Sequence, residues 1–128
     1  MTQAIDLKKM LGEIVEICID RPMGAYGENG IMYLCNYGFI PGTIAGDREE
    51  IDAYVLGVTQ PLVKDYVGNF KVVGVIVRHD DIEDKLIVAP RYMNYQATVM
   101  SYLVRFAEQR YNHTIHTIQD KFVYLKGE

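Results

Sequence analysis

Short β-branched runs, each cut off by glycine or proline, limit what this chain can fold into. Residues 70–77 carry the strongest strand pattern, apolar and β-branched almost throughout. Residues 13–20 place Val15, Ile17 and Ile19 on one face and end at Arg21-Pro22, because proline cannot donate to a ladder. Residues 53–58 form another such run, broken at Gln60-Pro61, and residues 86–89 a further one, closed by Pro90. Residues 31–33 read as extended, and 122–125 as β-prone. Residues 23–30 hold Gly24, Gly27, Gly30 and Asn29 and read as a loop or tight hairpin. Asn36-Tyr37-Gly38 and Ile40-Pro41-Gly42 read as turns on either side of Phe39. Residues 2–11 suggest a short helix stopped by Gly12. After Asn94, a plausible N-cap, the residues Tyr95, Val99, Tyr102, Leu103 and Phe106 follow helical spacing to about Tyr111. Such a pattern fits a small barrel or α+β domain.

The bulk properties narrow the function. The chain has 128 residues, which fits one domain, residues 1–128, able to bury a core without disulfides. Its net charge is −4 with no basic block, which argues against a nucleic-acid surface. No apolar run approaches the roughly 18 to 20 residues of a membrane span. Cys18 and Cys35 each sit alone among apolar residues and read as buried hydrophobes. With no CxxC pair and no secretory leader, the expected compartment is the cytoplasm.

The chemistry is concentrated in two acidic stretches, each between apolar runs. The first holds Asp47, Glu49 and Asp52. The second holds Asp80, Asp81, Glu83 and Asp84, closed by Lys85. Either could be a solvated turn. Together, at one end of a barrel, they suit a metal–phosphate site. Hard divalent cations take oxygen ligands and need only one or a few carboxylates, with substrate phosphate completing the shell. A lysine beside them meets phosphate charge. Tyr33 and Tyr37 carry hydroxyls able to donate to phosphate oxygens, or are core aromatics. Arg21, at a strand end, is a phosphate clamp or an ordinary surface arginine. The histidines form no zinc set, and there is no phosphate-binding glycine loop or nucleophile elbow.

The order of these residues resembles a known family. Tyr33-x-x-Asn36-Tyr37-Gly38-Phe39-Ile40-Pro41-x-Thr43, then Asp47-x-Glu49-x-x-Asp52, resembles the signature of family I (soluble, Mg²⁺-dependent) inorganic pyrophosphatases. Val73-Gly74-Val75, the second acidic loop and Glu83-Asp84-Lys85-Leu86 continue the likeness, and Ile19-Asp20-Arg21-Pro22 is similar to an early element of it. The resemblance implies a mainly β, α+β fold: an OB-like antiparallel β-barrel with a C-terminal amphipathic helix packed against it. It also implies Mg²⁺-dependent hydrolysis of pyrophosphate to two phosphates by metal-activated water, in a homo-oligomer. In that picture Asp47, Asp52, Asp80 and Glu83 bind metal. Glu49 helps activate the attacking water. Lys85, Tyr33 and Tyr37 hold phosphate, with Arg21 as a substitute cation.

The chain departs from the pattern in three ways. Glu49 and Glu83 stand where the family has aspartates, each longer by a methylene. The family's lysine–tyrosine–glutamate segment has no counterpart between Pro22 and Tyr33. Its late tyrosine–lysine pair meets Arg110-Tyr111, in the opposite order. The expectation is a short, diverged pyrophosphatase. Two other readings stay open: a binding module with weakened or lost catalysis, and a hydrolase of a larger phosphoanhydride such as a nucleotide.

Overall fold

The computed structural model describes residues 6–43, 50–79 and 83–119. Its strands are β1 (Ile14–Arg21), β2 (Asn36–Phe39), β3 (Asp52–Val55), β4 (Val67–Arg78), β5 (Lys85–Ala89) and β6 (His113–Thr117). β1 pairs with β2, β2 with β3, β3 with β5 and β5 with β4. β4 returns to β1, which closes five strands into a barrel. β6 extends the edge of β4 that β1 uses, pairing at residues 74–78 beyond β1's stretch at 67–71.

The barrel expectation is borne out, with one correction to its direction. β3 and β5 run parallel, with Ala53 opposite Leu86, while the other pairings are antiparallel. A parallel pair needs a crossover. Here the chain between β3 and β5 supplies it, with β4 as its main part.

Alternation along the strands separates two cores. Ala53 and Val55, Leu86 and Val88, and Ile17 and Ile19 join one apolar cluster with Leu7 of a 3₁₀ turn (Leu7–Met10) and with Leu11, which caps it. Tyr54, Ile87 and Ala89 join a second with Met100 and Val104 of the helices. On β4 the alternation slips: Phe70 and Val72 share the first cluster with Val75, not with Gly74. The register against β5 shifts between Val72 and Gly74, and a bulge of one residue exchanges the two faces.

Several local expectations need revision. Asn36-Tyr37-Gly38 is strand, not turn. Gly38 is there because a Cβ would collide with the Cys18 carbonyl of the neighbouring strand, so the glycine permits close approach rather than a bend. The late helix is split into α1 (Ala97–Leu103) and α2 (Arg105–Glu108), starting after Gln96 and broken at Val104. Its buried stripe is Met100, Val104 and Glu108, spaced by four, while Val99, Tyr102 and Leu103 face outward. Cys35 is buried as expected, whereas Cys18 is only partly so. Finally, β6 is a strand that the local sequence pattern does not signal. Residues 2–5 of the expected first helix and the β-prone piece at 122–125 lie outside the described residues. Among the described residues, no helix is long and apolar enough to cross a membrane.

Candidate active site

The parallel pairing brings Asp52 and Lys85, the last residues of the two acidic stretches, together. Because Ala53 lies opposite Leu86 on strands of the same direction, the preceding residues Asp52 and Lys85 emerge side by side at one rim. β2 runs along the other edge of β3 and adds Tyr37. Several motif residues build this scaffold rather than the site. Asn36, fully buried, accepts from the Met23 and Leu62 amides at 2.9 Å each and donates to the Gln60 carbonyl at 2.9 Å. It ties three chain segments together. Thr43 donates to the Ile40 carbonyl at 2.7 Å and accepts from the Ile51 amide at 3.1 Å, which clips the base of the first acidic loop.

Lys85 is at the centre of the site. Its ammonium donates to Tyr37 Oη at 2.7 Å, Asp52 Oδ2 at 3.1 Å and Glu83 Oε1 at 2.6 Å. An ammonium has three protons, so this set can use all of them. The Lys85 side chain is 6 % exposed, and those of Asp52 and Glu83 are 27 % and 39 % exposed. The positive charge therefore sits deep, with its carboxylates towards solvent. Burial holds the Tyr37 phenol well above its usual pKa, and the charge of Asp52 pushes in the same direction. Tyr37 stays a neutral donor at neutral pH.

Arg21 approaches from β1. Its guanidinium donates to Tyr33 Oη at 2.9 Å and lies 5.2 Å from the centre of the Tyr33 ring. Glu28 on the glycine loop is 4.0 Å away and almost fully exposed. Neighbours on a regular strand face opposite sides, yet Asp20 and Arg21 both line the cleft. The β1–β2 register shifts between Ile19 and Arg21, and this bulge re-aims both side chains.

The opposite wall comes from the end of β4, from α2 and from the turn after it. Arg78 donates to both oxygens of Glu108, at 3.1 Å and 2.6 Å, and Tyr54 Oη donates to the same carboxylate at 2.6 Å. Glu108 has no exposed surface. Burial works against the charge on Arg78, but the Glu108 carboxylate outweighs it and raises the pKa. Burial also raises the Tyr54 phenol, helped by Glu108. The Arg78 guanidinium stacks 3.7 Å from the centre of the Tyr111 ring.

These walls enclose an open cleft of about 510 Å³. Of the expected site residues, Arg21, Tyr33, Tyr37, Asp52, Glu83 and Lys85 all line it. Asp47, Glu49 and Asp80 lie outside the described residues. Sequence reasoning missed Arg78 and Glu108, and met Arg110 only as an out-of-order match to the family's late pair. A signal for one existed: Glu108 is an acid in register with Met100 and Val104 on a buried helical stripe, where a charge demands a partner. Among the described residues, no group of three or more metal-ligating side chains is assembled. Asp52 and Glu83 do present hard oxygen donors at one rim, which suits a cation that needs only one or two carboxylates.

The family model described as inorganic pyrophosphatase matches residues 13–126, and the chain belongs to that family. It is 29 % identical to an inorganic pyrophosphatase of Mesorhizobium japonicum, over an alignment covering 91 % of this chain and 73 % of that protein. It is 34 % identical to one from Rickettsia conorii, over 58 % of this chain and 41 % of the relative. Against that relative, the match spans less than half the length. The fold is similar to the crystal structure of an inorganic pyrophosphatase from Ehrlichia chaffeensis, with a TM-score of 0.67, 18 % identity, and coverage of 85 % of this chain and 88 % of that one. It is also similar to that from Thermus thermophilus, with a TM-score of 0.57, 22 % identity, and coverage of 82 % and 80 %.

Proposed function

We propose that this chain hydrolyses inorganic pyrophosphate to two phosphates in a Mg²⁺-dependent reaction, in the cytoplasm and as a homo-oligomer. The observation that carries the reading is the Lys85 ammonium, buried and shared among Tyr37, Asp52 and Glu83, in a cleft also lined by arginines. Family membership supports the substrate.

Asp52 and Glu83, with Asp47 and Asp80 as further candidates, would hold Mg²⁺. When bound, Mg²⁺ offsets substrate charge and lowers the pKa of water. The residues of the chain then divide the work. Glu49 takes a proton from the attacking water on its carboxylate. The water oxygen bonds to one phosphorus as the bridging P–O bond breaks. Lys85 and the Tyr37 hydroxyl donate to the departing phosphate. Arg21, steadied by Tyr33, orients the substrate from the β1 side.

The test is phosphate release from pyrophosphate and from nucleoside triphosphates, each with Mg²⁺ and with a chelator. The expected result is Mg²⁺-dependent release from pyrophosphate that disappears in Asp52→Asn. Wild-type rates in Asp52→Asn would sink the assignment. Release from the nucleotides alone would point to the larger substrate. Mg²⁺ binding without release from either would point to a binding module.

A further inference from the structure

The glycine-rich connection between β1 and β2 reaches across the cleft. It is a small hairpin over residues 24–33. Gly24 donates its backbone amide to the Tyr33 carbonyl, Tyr33 to Ala25 and Gly27 to Ile31, each at 2.8 Å, and Tyr26 pairs with Met32 across it. Glu28 and Asn29 lie at its tip. Arg110 stands on the opposite wall, just after α2. With the Asn29 carbonyl oxygen facing it, the Arg110 guanidinium donates through Nη1 at 2.6 Å and Nη2 at 3.2 Å. This bond therefore joins one wall of the cleft to the other.

Its depth in the cleft decides what it can do. Asn29, Tyr37, Lys85 and Arg110 all line the cleft. Tyr37 and the Lys85 side chain are buried, at 5 % and 6 % exposed, and form the floor. Asn29 and Arg110 are both exposed, so their bond spans the mouth above that floor. A ligand made of two phosphates and nothing else can lie below such a bridge. A nucleoside triphosphate has to pass its sugar and base out through the mouth. The hairpin also depends on this tie. Tyr26 and Met32 are exposed, so little apolar burial holds it, and a two-stranded hairpin alone is marginal. Glu28 reaches Arg21 only at 4.0 Å and is almost fully exposed, a kind of pair that contributes little. Charge-assisted hydrogen bonds from a guanidinium are stronger.

We infer that this hairpin is a strap across the mouth of the cleft, latched by Asn29 on Arg110, and that the latch selects small phosphoanhydrides over nucleotides. The inference deepens the proposed function and rests on it for the class of ligand. It makes Asn29 a specificity-determining residue, on a loop where the sequence shows only turn chemistry.

The test compares wild type, Asn29→Ala and Asn29→Asp, each as the full chain. Asn29 is exposed, so neither substitution disturbs a core. Amide hydrogen exchange at Gly24, Gly27 and Tyr33 reads the latch. Calorimetry with Mg²⁺ present reads selectivity, using two ligands that resist hydrolysis: methylenediphosphonate, and a nucleoside triphosphate with methylene groups in place of its bridging oxygens. Wild type is expected to bind the diphosphonate at least about tenfold more tightly than the nucleotide analogue. Asn29→Ala is expected to speed exchange about tenfold, the effect of losing one charge-assisted hydrogen bond, and to narrow the preference by a similar factor. Asn29→Asp keeps an acceptor for Arg110 and keeps exchange slow. Unchanged exchange or unchanged preference in Asn29→Ala would overturn the inference, as would a wild type without the preference. Hydrolysis of pyrophosphate alongside any of those results would leave the proposed function standing. A preference that Asn29→Ala narrows, in a chain that releases no phosphate from pyrophosphate, would do the reverse.

Discussion

The Lys85 ammonium lies 3.1 Å from Asp52 Oδ2 because β3 and β5 are parallel and in register at Ala53 and Leu86. In an antiparallel pairing, the starts of these two strands would lie at opposite ends. The charge pair at the cleft thus depends on strand direction.

Lys85→Met removes a cation that holds two carboxylates and, in the proposed reaction, donates to the departing phosphate. Its kcat for pyrophosphate is expected to fall on the order of 10²-fold or more. Stability should change less, because the carboxylates left behind, Asp52 and Glu83, are partly solvated. Steady-state kinetics beside a urea titration checks both. A kcat close to wild type would remove Lys85 from the mechanism.

Glu108→Gln should behave in the opposite way. The carboxylate is buried and receives Arg78 and Tyr54. Removing its charge leaves a buried guanidinium without it, at a cost of about 3 kcal/mol or more. Combining Arg78→Met with Glu108→Gln should cost less than the sum of the single changes, as expected for coupled neighbours. A double-mutant cycle by urea denaturation reads this directly, and additive losses would mean that the pair is not coupled.

Two glycines of the signature region should respond differently to alanine. At Gly38 the added Cβ meets the Cys18 carbonyl, part of the backbone, so Gly38→Ala is expected to destabilise by about 2 kcal/mol or more. At Gly42 the backbone has φ +76° but, among the described residues, nothing lies near a Cβ. Gly42→Ala should cost only about 1 kcal/mol of backbone strain. Thermal or urea unfolding of the two variants side by side checks the order.

Cys35 sets an alkaline limit. Burial pushes its thiol pKa up to about 12, whereas an unfolded thiol ionises near ~8.5. The native state keeps the proton longer. The stability this contributes is complete below about pH 8.5, and it is lost as pH rises towards 12, at about 1.4 kcal/mol per pH unit for one proton. Cys35→Ala should flatten the decline between about pH 8 and 9, where the thiol titrates in the unfolded chain but the phenols, with a pKa of about 10, largely do not. Urea midpoints across that range test it. An identical slope in the variant would show that Cys35 is not its source.

Much of the barrel is legible in the sequence because strands carry their signal locally. The β-branched runs with proline and glycine stops locate β1, β3, β4 and β5 to within a few residues. β2 reads as a turn because glycine has two uses. Nothing local tells a glycine needed for a bend from Gly38, needed for a neighbouring carbonyl. The helical face is misleading for a related reason. Periodicity among large apolar residues favours Val99, Tyr102 and Leu103, while the stripe that packs runs through Met100, Val104 and Glu108.

By itself, the sequence determined the family, the short strands and the carboxylate, lysine and tyrosine components of the site. These are properties of residue type and spacing along the chain. Tertiary structure alone decided that β3 and β5 run parallel, that a bulge turns both Asp20 and Arg21 to the cleft, and that Arg78, Glu108 and Arg110 belong to its far wall. Those facts depend on pairing partners distant along the chain. Strand direction, a one-residue slip and a buried ion pair are set by the energy of the whole packed chain, which no single segment encodes.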